Sequence, residues 1–315
     1  MTNKGTIRQQ GVDLFLEVRG RTFRLDVRQH PIGEGAMGIV YVGYDIHNKE
    51  KVAIKRIKDK FLQNQEIRQR AQQEAELSFA HPNLVEMIGI AQVNAYNGPI
   101  FLISKFVNGV PMNKFVQEKV LQLPRAEHRI CEMFMPIFDA LSFIHSRGII
   151  HMDIKPSNVM VENDRNVRLM DLGIANVSAV GNSSTSGMMG TPNYAAPEQF
   201  DAINENPTLS ASTDIYEAGV TLYELLTSEN PFKKATIADI KEAHRNSCLP
   251  NSPKISPAIM RVLQKATEIK PTDRYQSAAE MKTALQQALL NPSKQDFFDK
   301  MKSYKNHLFD LIKKK

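Results

Sequence analysis

The sequence has no apolar run of 18 residues and few cysteines. We therefore expect no transmembrane helix, and the polar residues that follow Met1 give no apolar core of a secretory signal. Only Cys131 and Cys248 occur, far apart and without a Cys or His partner at metal-ligand spacing. This pattern favours two free thiols in a reducing compartment, so we expect a cytoplasmic protein.

A strongly basic surface is also missing. The net charge of +6 is small for 315 residues, and the main body has no basic stripe interleaved with aromatic residues. We therefore expect no nucleic-acid partner. With 42% hydrophobic and 23% charged residues, the composition is that of a globular chain with one large or two small cores.

Period-two patterning marks the first hundred residues. Residues 12–28 alternate apolar and polar around Gly20, which predicts a hairpin. A second strand pair is predicted at 38–43 and 51–55, a polar helix at 63–79, and another strand at 99–107. The N-terminal hairpin could offer a sheet edge for interaction, and the sequence leaves the oligomeric state open.

Helical patterning dominates the remainder. Residues 125–145 carry a long apolar face, 215–226 are nearly apolar all round, and 277–290 are amphipathic. The middle segment fits a fully buried helix. We therefore predict an α+β fold with a sheet-rich small lobe and a mainly helical large lobe, joined near residues 106–109.

One segment carries the strongest chemical signal. Residues 151–158 read HMDIKPSN, and Asp171-Leu172-Gly173 follows after a short gap. Phosphoryl transfer needs a carboxylate to orient the attacking hydroxyl, a cation near the moving group, and oxygen ligands for a metal ion. The spacing resembles the catalytic and metal-binding loops, H-R-D-x-K-x-x-N and D-F-G, of the Hanks-type Ser/Thr protein kinase family.

This resemblance implies a role for each residue. Asp153 would orient the substrate hydroxyl, and Lys155 would neutralise the γ-phosphate. Asn158 and Asp171 would bind Mg²⁺, with Mn²⁺ as an alternative. The implied fold is the two-lobed kinase fold.

A glycine-rich segment matches the same family. Gly33, Gly35 and Gly38 fit G-x-G-x-x-G-x-V, which is a weak signal alone. The β-branched residues after Gly38 predict a strand, whereas a dinucleotide-binding fingerprint would open a helix. The resemblance implies that these glycines close over the phosphates of ATP.

The small lobe should hold the other phosphate-binding groups. Lys55, in the sequence V-A-I-K, would contact the α- and β-phosphates, paired with a Glu on the small-lobe helix. Glu74 fits the family spacing best, and Glu76 remains an alternative. In the adenine pocket that the resemblance implies, Val40 and Ala53 would form the roof and Met160 the floor. Phe106 and Val107 would form the hinge, and Ser104 would be the gatekeeper.

The segment from Gly190 to Glu198, GTPNYAAPE, resembles the substrate-docking end of the activation segment of Ser/Thr kinases. Before it, Ser178 and residues 183–186 carry hydroxyl groups, so autophosphorylation is expected in the 178–189 loop. Further on, the resemblance implies that Asp214 steadies the catalytic loop. It also implies a buried ion pair between Arg274 and Glu198.

Two residues depart from the family pattern. Met152 replaces the Arg of H-R-D, and Leu172 replaces the Phe of D-F-G. Leu keeps the apolar packing role. Loss of the Arg removes the cation that pairs with an activation-loop phosphate, so we expect activity without phosphorylation of that loop.

The tail, residues 291–315, is basic and amphipathic. Apolar residues recur at helical spacing among lysines that include the terminal Lys313-Lys314-Lys315. This helix would pack on the large lobe, dock a partner, or lie on an anionic membrane surface.

The sequence as a whole predicts a Ser/Thr protein kinase that uses Mg·ATP and acts on protein substrates. Its predicted parts are an N-terminal extension at 1–22, a kinase domain at 23–290 (small lobe 23–106, large lobe 107–290) and the tail. A pseudokinase that serves as a binding platform and a small-molecule kinase are the alternatives. Intact Lys55, Asp153, Asn158 and Asp171 argue against the first, and the docking segment argues against the second.

Overall fold

A computed structural model describes residues 5–35, 37–77, 79–93, 97–171, 176–177, 190–200 and 209–290. Several predictions lie outside the described residues: Leu172 and Gly173, the loop hydroxyls at Ser178 and 183–186, and the tail at 291–315. Among the described residues, no helix combines the length and apolar character needed to cross a bilayer. Cys131 is a buried free thiol and Cys248 an exposed one.

The chain divides into two compact units. The first comprises Met1–Val110 with Met160–Ser184, and the second Pro111–Val159 with Thr185–Lys315. These units differ from the predicted lobes, 23–106 and 107–290, in two places. The extension at 1–22 is part of the first unit, and so is the segment after Met160. That segment joins the first unit because backbone polar groups around Leu169 pair with residues near Leu84.

Antiparallel strands build the first unit. They are β1 (Thr6–Gln10), β2 (Asp13–Val18), β3 (Arg21–Asp26), β4 (Gly33–Glu34), β5 (Gly38–Asp45), β6 (Lys51–Ile57), β7 (Met87–Gln92) and β8 (Ile100–Lys105). A 3-10 turn at Asp59–Phe61 leads towards helix α1 (Gln65–Glu76). The sheet has the order β1-β2-β3-β5-β6-β8-β7, and β4 pairs with β5.

The predicted N-terminal hairpin is confirmed. Val18 pairs with Arg21 across a two-residue turn, in which Arg19 and Gly20 have φ angles of +50° and +74°. Two positive φ angles define the type I′ turn that suits the twist of a hairpin. The edge predicted for interaction is covered at its start, since Gly5 forms a parallel bridge to Ala91 of β7.

The two faces of this sheet bury different clusters. One face holds residues of the hairpin together with Val52 and Ile54 of β6. The other face packs Ile57 and Leu102 against Ala71 of helix α1. Alternation of side chains along each strand produces this division.

The remaining elements follow in chain order. They are β9 (Gly109–Pro111), α2 (Met112–Phe115), a π-helical turn (Val116–Val120), α3 (Ala126–His145), β10 (Ile149–Ile150), a 3-10 turn (Pro156–Asn158), β11 (Val159–Glu162), β12 (Asn166–Leu169), β13 (Asn176–Val177), a 3-10 turn (Pro197–Phe200), α4 (Ala211–Thr227), α5 (Ile237–Asn246), α6 (Pro257–Ala266), a 3-10 turn (Pro271–Asp273) and α7 (Ala278–Leu290). Strands β12, β11 and β9 form a small sheet in that order.

Helix α4 is the centre of the second unit. It packs against α3, α6 and α7, and apart from Ala211 and Glu224 its residues are buried. Ser210 begins the helix with a capping box that it shares with Thr213, which satisfies amide groups at the helix start. The buried helix predicted at 215–226 is therefore confirmed. The predicted ion pair is confirmed as well, because Arg274 Nη1 lies 2.7 Å from Glu198 Oε1.

Candidate active site

One face of the first unit's sheet gathers predicted nucleotide-binding residues. In the strand register, Val40 lies opposite Lys55, and Ser104 lies opposite Ala53. Residues directly opposite each other in an antiparallel pair share a face, and Ala53 and Lys55 are two positions apart on β6. These four side chains therefore lie on one face, while neighbouring Ile54 points into the core on the other.

The remaining predicted pocket residues also belong to the first unit. Val107 follows strand β8 and is buried, with 7% exposure. Met160 is half-buried on strand β11. Phe106 is half-buried, and its ring lies 5.6 Å from the ammonium of Lys51.

The glycine-rich segment forms a tight hairpin between β4 and β5. The amide of Gly35 donates a hydrogen bond to the carbonyl oxygen of Gly38 at 2.9 Å. A Cβ at Gly38 would come within 2.8 Å of the carbonyl oxygen of Arg56, so this position needs glycine. A Cβ at Gly33 would meet no atom within 4 Å, and one at Gly35 would meet only an atom 3.9 Å away. Both residues are exposed, which leaves room for phosphate groups against the backbone.

Three ionisable groups of the first unit influence one another. Lys55 Nζ lies 3.0 Å from Asp171 Oδ1, and Glu74 of α1 is only 4% exposed. Burial raises the pKa of Glu74 to about 7; the positive charge of Lys55 opposes this shift and the negative charge of Asp171 adds to it. Glu76 is exposed at the end of the helix. The geometry therefore favours Glu74 over Glu76 as the carboxylate associated with Lys55.

In the second unit, hydrogen-bond donors surround the Asp153 carboxylate. Thr191 Oγ1 donates to Asp153 Oδ1 at 2.6 Å, and Lys155 Nζ donates to Oδ2 at 2.8 Å. Lys155 also donates to Thr191 Oγ1 at 2.7 Å. The oxygens of this carboxylate can also accept a hydrogen bond from a further hydroxyl group.

Asn158 completes this group. Its side-chain nitrogen donates to the backbone oxygen and to Oδ2 of Asp153, both at 2.9 Å. Because the amide nitrogen faces Asp153, the amide oxygen points away from it. The amide oxygen of Asn158 in the second unit and the carboxylate of Asp171 in the first are each a ligand type that hard divalent cations accept.

The loop that carries Asp153 is held by Asp214 of helix α4. The two oxygens of this fully buried carboxylate accept the amides of His151 and Met152, each at 2.8 Å. His145 Nε2 lies 2.7 Å from Asp214 Oδ2. The geometry supports the steadying role that the sequence resemblance implied for Asp214.

Two further residues of α4 were missed by sequence reasoning. Glu217 Oε2 accepts the amide of Ile154 at 2.7 Å, and Thr221 Oγ1 donates to the carbonyl oxygen of Ile154 at 2.8 Å. Burial, and next the charge of Asp214, raise the pKa of Glu217 well above its usual value. The available signal was the helical spacing of polar residues 214, 217 and 221 in a helix whose other residues are mostly apolar.

Comparison with known proteins agrees with this geometry. Residues 27–289 match the family model of the protein kinase domain, and the chain belongs to that family. Membership implies use of ATP with a divalent cation, and it confirms the predicted α+β kinase fold.

The chain is also similar to curated bacterial proteins. It is 33% identical to serine/threonine-protein kinase PknB of Mycolicibacterium smegmatis, over 81% of this chain and 41% of that protein. It is 34% identical to probable serine/threonine-protein kinase PknB of Lactococcus lactis, over 80% of this chain and 40% of that protein. Serine/threonine-protein kinase Pkn1 of Myxococcus xanthus is 34% identical, over 88% of this chain and 40% of that protein. The chain thus spans about two fifths of the length of these relatives.

Proposed function

We propose that the protein is a Ser/Thr protein kinase that transfers the γ-phosphoryl group of ATP to protein hydroxyl groups. The observation that carries this proposal is the Asp153 carboxylate, held by Thr191, Lys155 and Asn158. Thr191 belongs to the segment that resembles a substrate-docking loop. Its bond to Asp153 ties the orientation of the proposed base to the segment that would hold the acceptor peptide.

The residues divide the work between phosphate binding and acceptor activation. Lys55 would hold the phosphates of ATP, and Glu74 would keep its ammonium in place. Asp153 would accept the hydrogen bond of the incoming hydroxyl, and Lys155 would offset charge on the transferred group. Asn158 and Asp171 would supply oxygen ligands to Mg²⁺ or Mn²⁺. When bound, the cation neutralises phosphate charge during transfer.

We propose protein substrates, with autophosphorylation in the 178–189 loop, and no nucleic-acid partner. The similar bacterial proteins are named as serine/threonine-protein kinases, which supports protein substrates. We also propose a cytoplasmic location, which the two free thiols support. For the tail at 291–315, we propose packing on the large lobe rather than partner docking or membrane contact.

Activity should not depend on a phosphorylated loop. Met152 stands where the family pattern has Arg. Its side chain is fully buried, and its backbone has a φ angle of +60°. An apolar side chain there cannot pair with a phosphate. Phosphatase-treated enzyme should therefore keep its activity, and a loss that rephosphorylation restores would contradict this part of the proposal.

The decisive experiment is an autophosphorylation assay with Mg·ATP, read by intact mass and phosphosite mapping. Wild type is compared with Asp171→Ala and Asp153→Asn. Asp139→Asn serves as the control, since Asp139 forms an exposed ion pair with Lys282. Mass should increase in wild type and control alone, on Ser or Thr.

Other outcomes would contradict the proposal in distinct ways. ATP binding without transfer to the protein itself or to any added protein would indicate a binding platform. Phosphorylation of metabolites but never of proteins would indicate a small-molecule kinase.

A further inference from the structure

The first unit contains a structural addition that the family match does not cover. Residues 5–26 precede the matched segment and form β1, β2 and β3. At Gly5 the chain returns to β7, donating its amide to the carbonyl oxygen of Ile90 at 3.3 Å and accepting the amide of Gln92 at 3.4 Å. The chain just before β1 therefore meets β7, the last strand of the sheet, at an isolated parallel bridge.

Glycines make this contact sterically feasible. A Cβ at Gly5 would overlap the carbonyl oxygen of Glu17, and one at Gly89 would lie 2.6 Å from Val18 Cγ1. Gly89 also has a φ angle of +153°, beside a register shift in the pairing of β7 with β8. Glycine within a strand often marks a close approach of two chain segments, and the contact of the N-terminal segment with β7 requires such an approach.

The addition also supplies part of the core. Four of its side chains, each at most 1% exposed, join residues of β6, β7 and β8 in one cluster: Leu16, Val18, Phe23 and Leu25. This cluster lies on the face of β6 opposite Lys55. Helix α1 covers the same face as Lys55, packed against Ile57 and Leu102.

Arg19 connects the addition to that helix. It sits at the turn between β2 and β3, and its Nη2 donates to the carbonyl oxygen of Ala75 at 3.3 Å. Ala75 lies in the last turn of α1, next to Glu74. The last turn of α1 contains no basic residue of its own. Arg19 thus brings a cation to the end of a helix, where it interacts favourably with exposed carbonyl groups.

We propose that Arg19 is a positioning residue, through which the N-terminal hairpin fixes the last turn of α1 and so keeps Glu74 directed at Lys55. The bridge at Gly5 and the shared core hold the hairpin against the rest of the sheet, and the contact at Ala75 connects it to the helix. This inference rests on the proposed kinase function for its catalytic consequence. The contact itself can be tested without that function.

The test compares charge reversals at two arginines of the hairpin in the full chain. Arg19→Glu places an anion against the carbonyl end of α1. Arg24→Glu makes the same change in net charge at a residue whose partner, Asp13, lies within the hairpin. Arg19→Lys keeps the cation, and Arg19→Ala is the milder variant if Arg19→Glu does not fold.

Two readouts are measured: kcat/KM for ATP, and hydrogen exchange at the amides of the last turn of α1. Arg19→Glu should lower kcat/KM about tenfold, a size typical of coupling between two sites, and speed exchange at α1. Arg24→Glu and Arg19→Lys should stay near wild type in both measurements. An activity loss without faster exchange at α1, or equal losses at Arg19 and Arg24, would overturn the proposal.

Failure of the proposed function gives a different pattern. If wild type transfers no phosphoryl group, kcat/KM cannot be compared, but exchange at α1 still decides whether Arg19 holds the helix. Unchanged exchange in Arg19→Glu would then overturn the inference by itself.

Discussion

The ion pair between Arg274 and Glu198 allows a quantitative prediction. The Arg274 side chain is fully buried and that of Glu198 is 10% exposed. Two parallel hydrogen bonds of 2.7 and 2.9 Å join the guanidinium to the carboxylate. The guanidinium also donates to backbone oxygens of Ser212, Glu268 and Ile269.

Replacing Arg274 with Met leaves a buried carboxylate without its cation. Thr213 Oγ1, 2.9 Å from Glu198 Oε1, would still donate to it, and three backbone oxygens would lose a donor. Breaking a buried ion pair from one side costs about 3–5 kcal/mol, so we expect a loss of that size in the free energy of unfolding. Arg274→Lys should lose less, since it keeps the charge but not the paired geometry.

Urea unfolding, followed by far-UV circular dichroism, measures this loss. The control is Lys282→Met, which breaks the ion pair between Lys282 and Asp139. Its Lys and Asp side chains are 25% and 50% exposed, and such a pair is worth at most about 1 kcal/mol. If Arg274→Met lost no more stability than this control, the reasoning from burial and geometry would be refuted.

Three further variants test other parts of the structure. Burial raises the pKa of Glu74 from 4.5 to about 7, so the folded state holds this proton more tightly than the unfolded chain. Relative to Glu74→Gln, wild type should lose about 3 kcal/mol of unfolding free energy as pH rises from 4.5 through 7. An equal pH dependence of the unfolding free energies of the two proteins, measured with urea, would contradict this. Ser104→Met should reduce the use of bulky N6-substituted ATP analogues relative to ATP; an unchanged ratio of kcat/KM values would place Ser104 away from the adenine. Thr221→Val should lower the free energy of unfolding by about 1–3 kcal/mol, because a buried carbonyl group loses its donor, and urea unfolding would show it.

The sequence predicted the elements of the fold well, because their signals are local. Alternation around Gly20 located the hairpin, and the apolar run at 215–226 identified the buried helix. The bridge from Gly5 to Ala91 was not predicted, since it joins segments far apart in the chain. Gly89 indicates in the sequence that another segment approaches β7 closely, but a single glycine does not identify that segment.

The choice between Glu74 and Glu76 shows what motif spacing leaves open. Family spacing fixed the position only to within a turn of helix. Helical periodicity favours Glu74, because Ala71 and Ala75 are buried and Glu74 lies three positions after Ala71 on the same face. Glu76 falls outside that face and is exposed.

The conformation of the loop at 151–158 depends on residues outside its own sequence motif. The loop is buried and irregular, so its backbone groups need hydrogen-bond partners other than a strand or helix ladder. Helix α4 supplies them from Asp214, Glu217 and Thr221. These bonds hold Met152 at a positive φ angle, a conformation that a residue with a side chain rarely adopts. The position of Asp153 therefore depends on a helix that begins 58 residues later in the chain, and changes in that helix should alter catalysis without touching the motif.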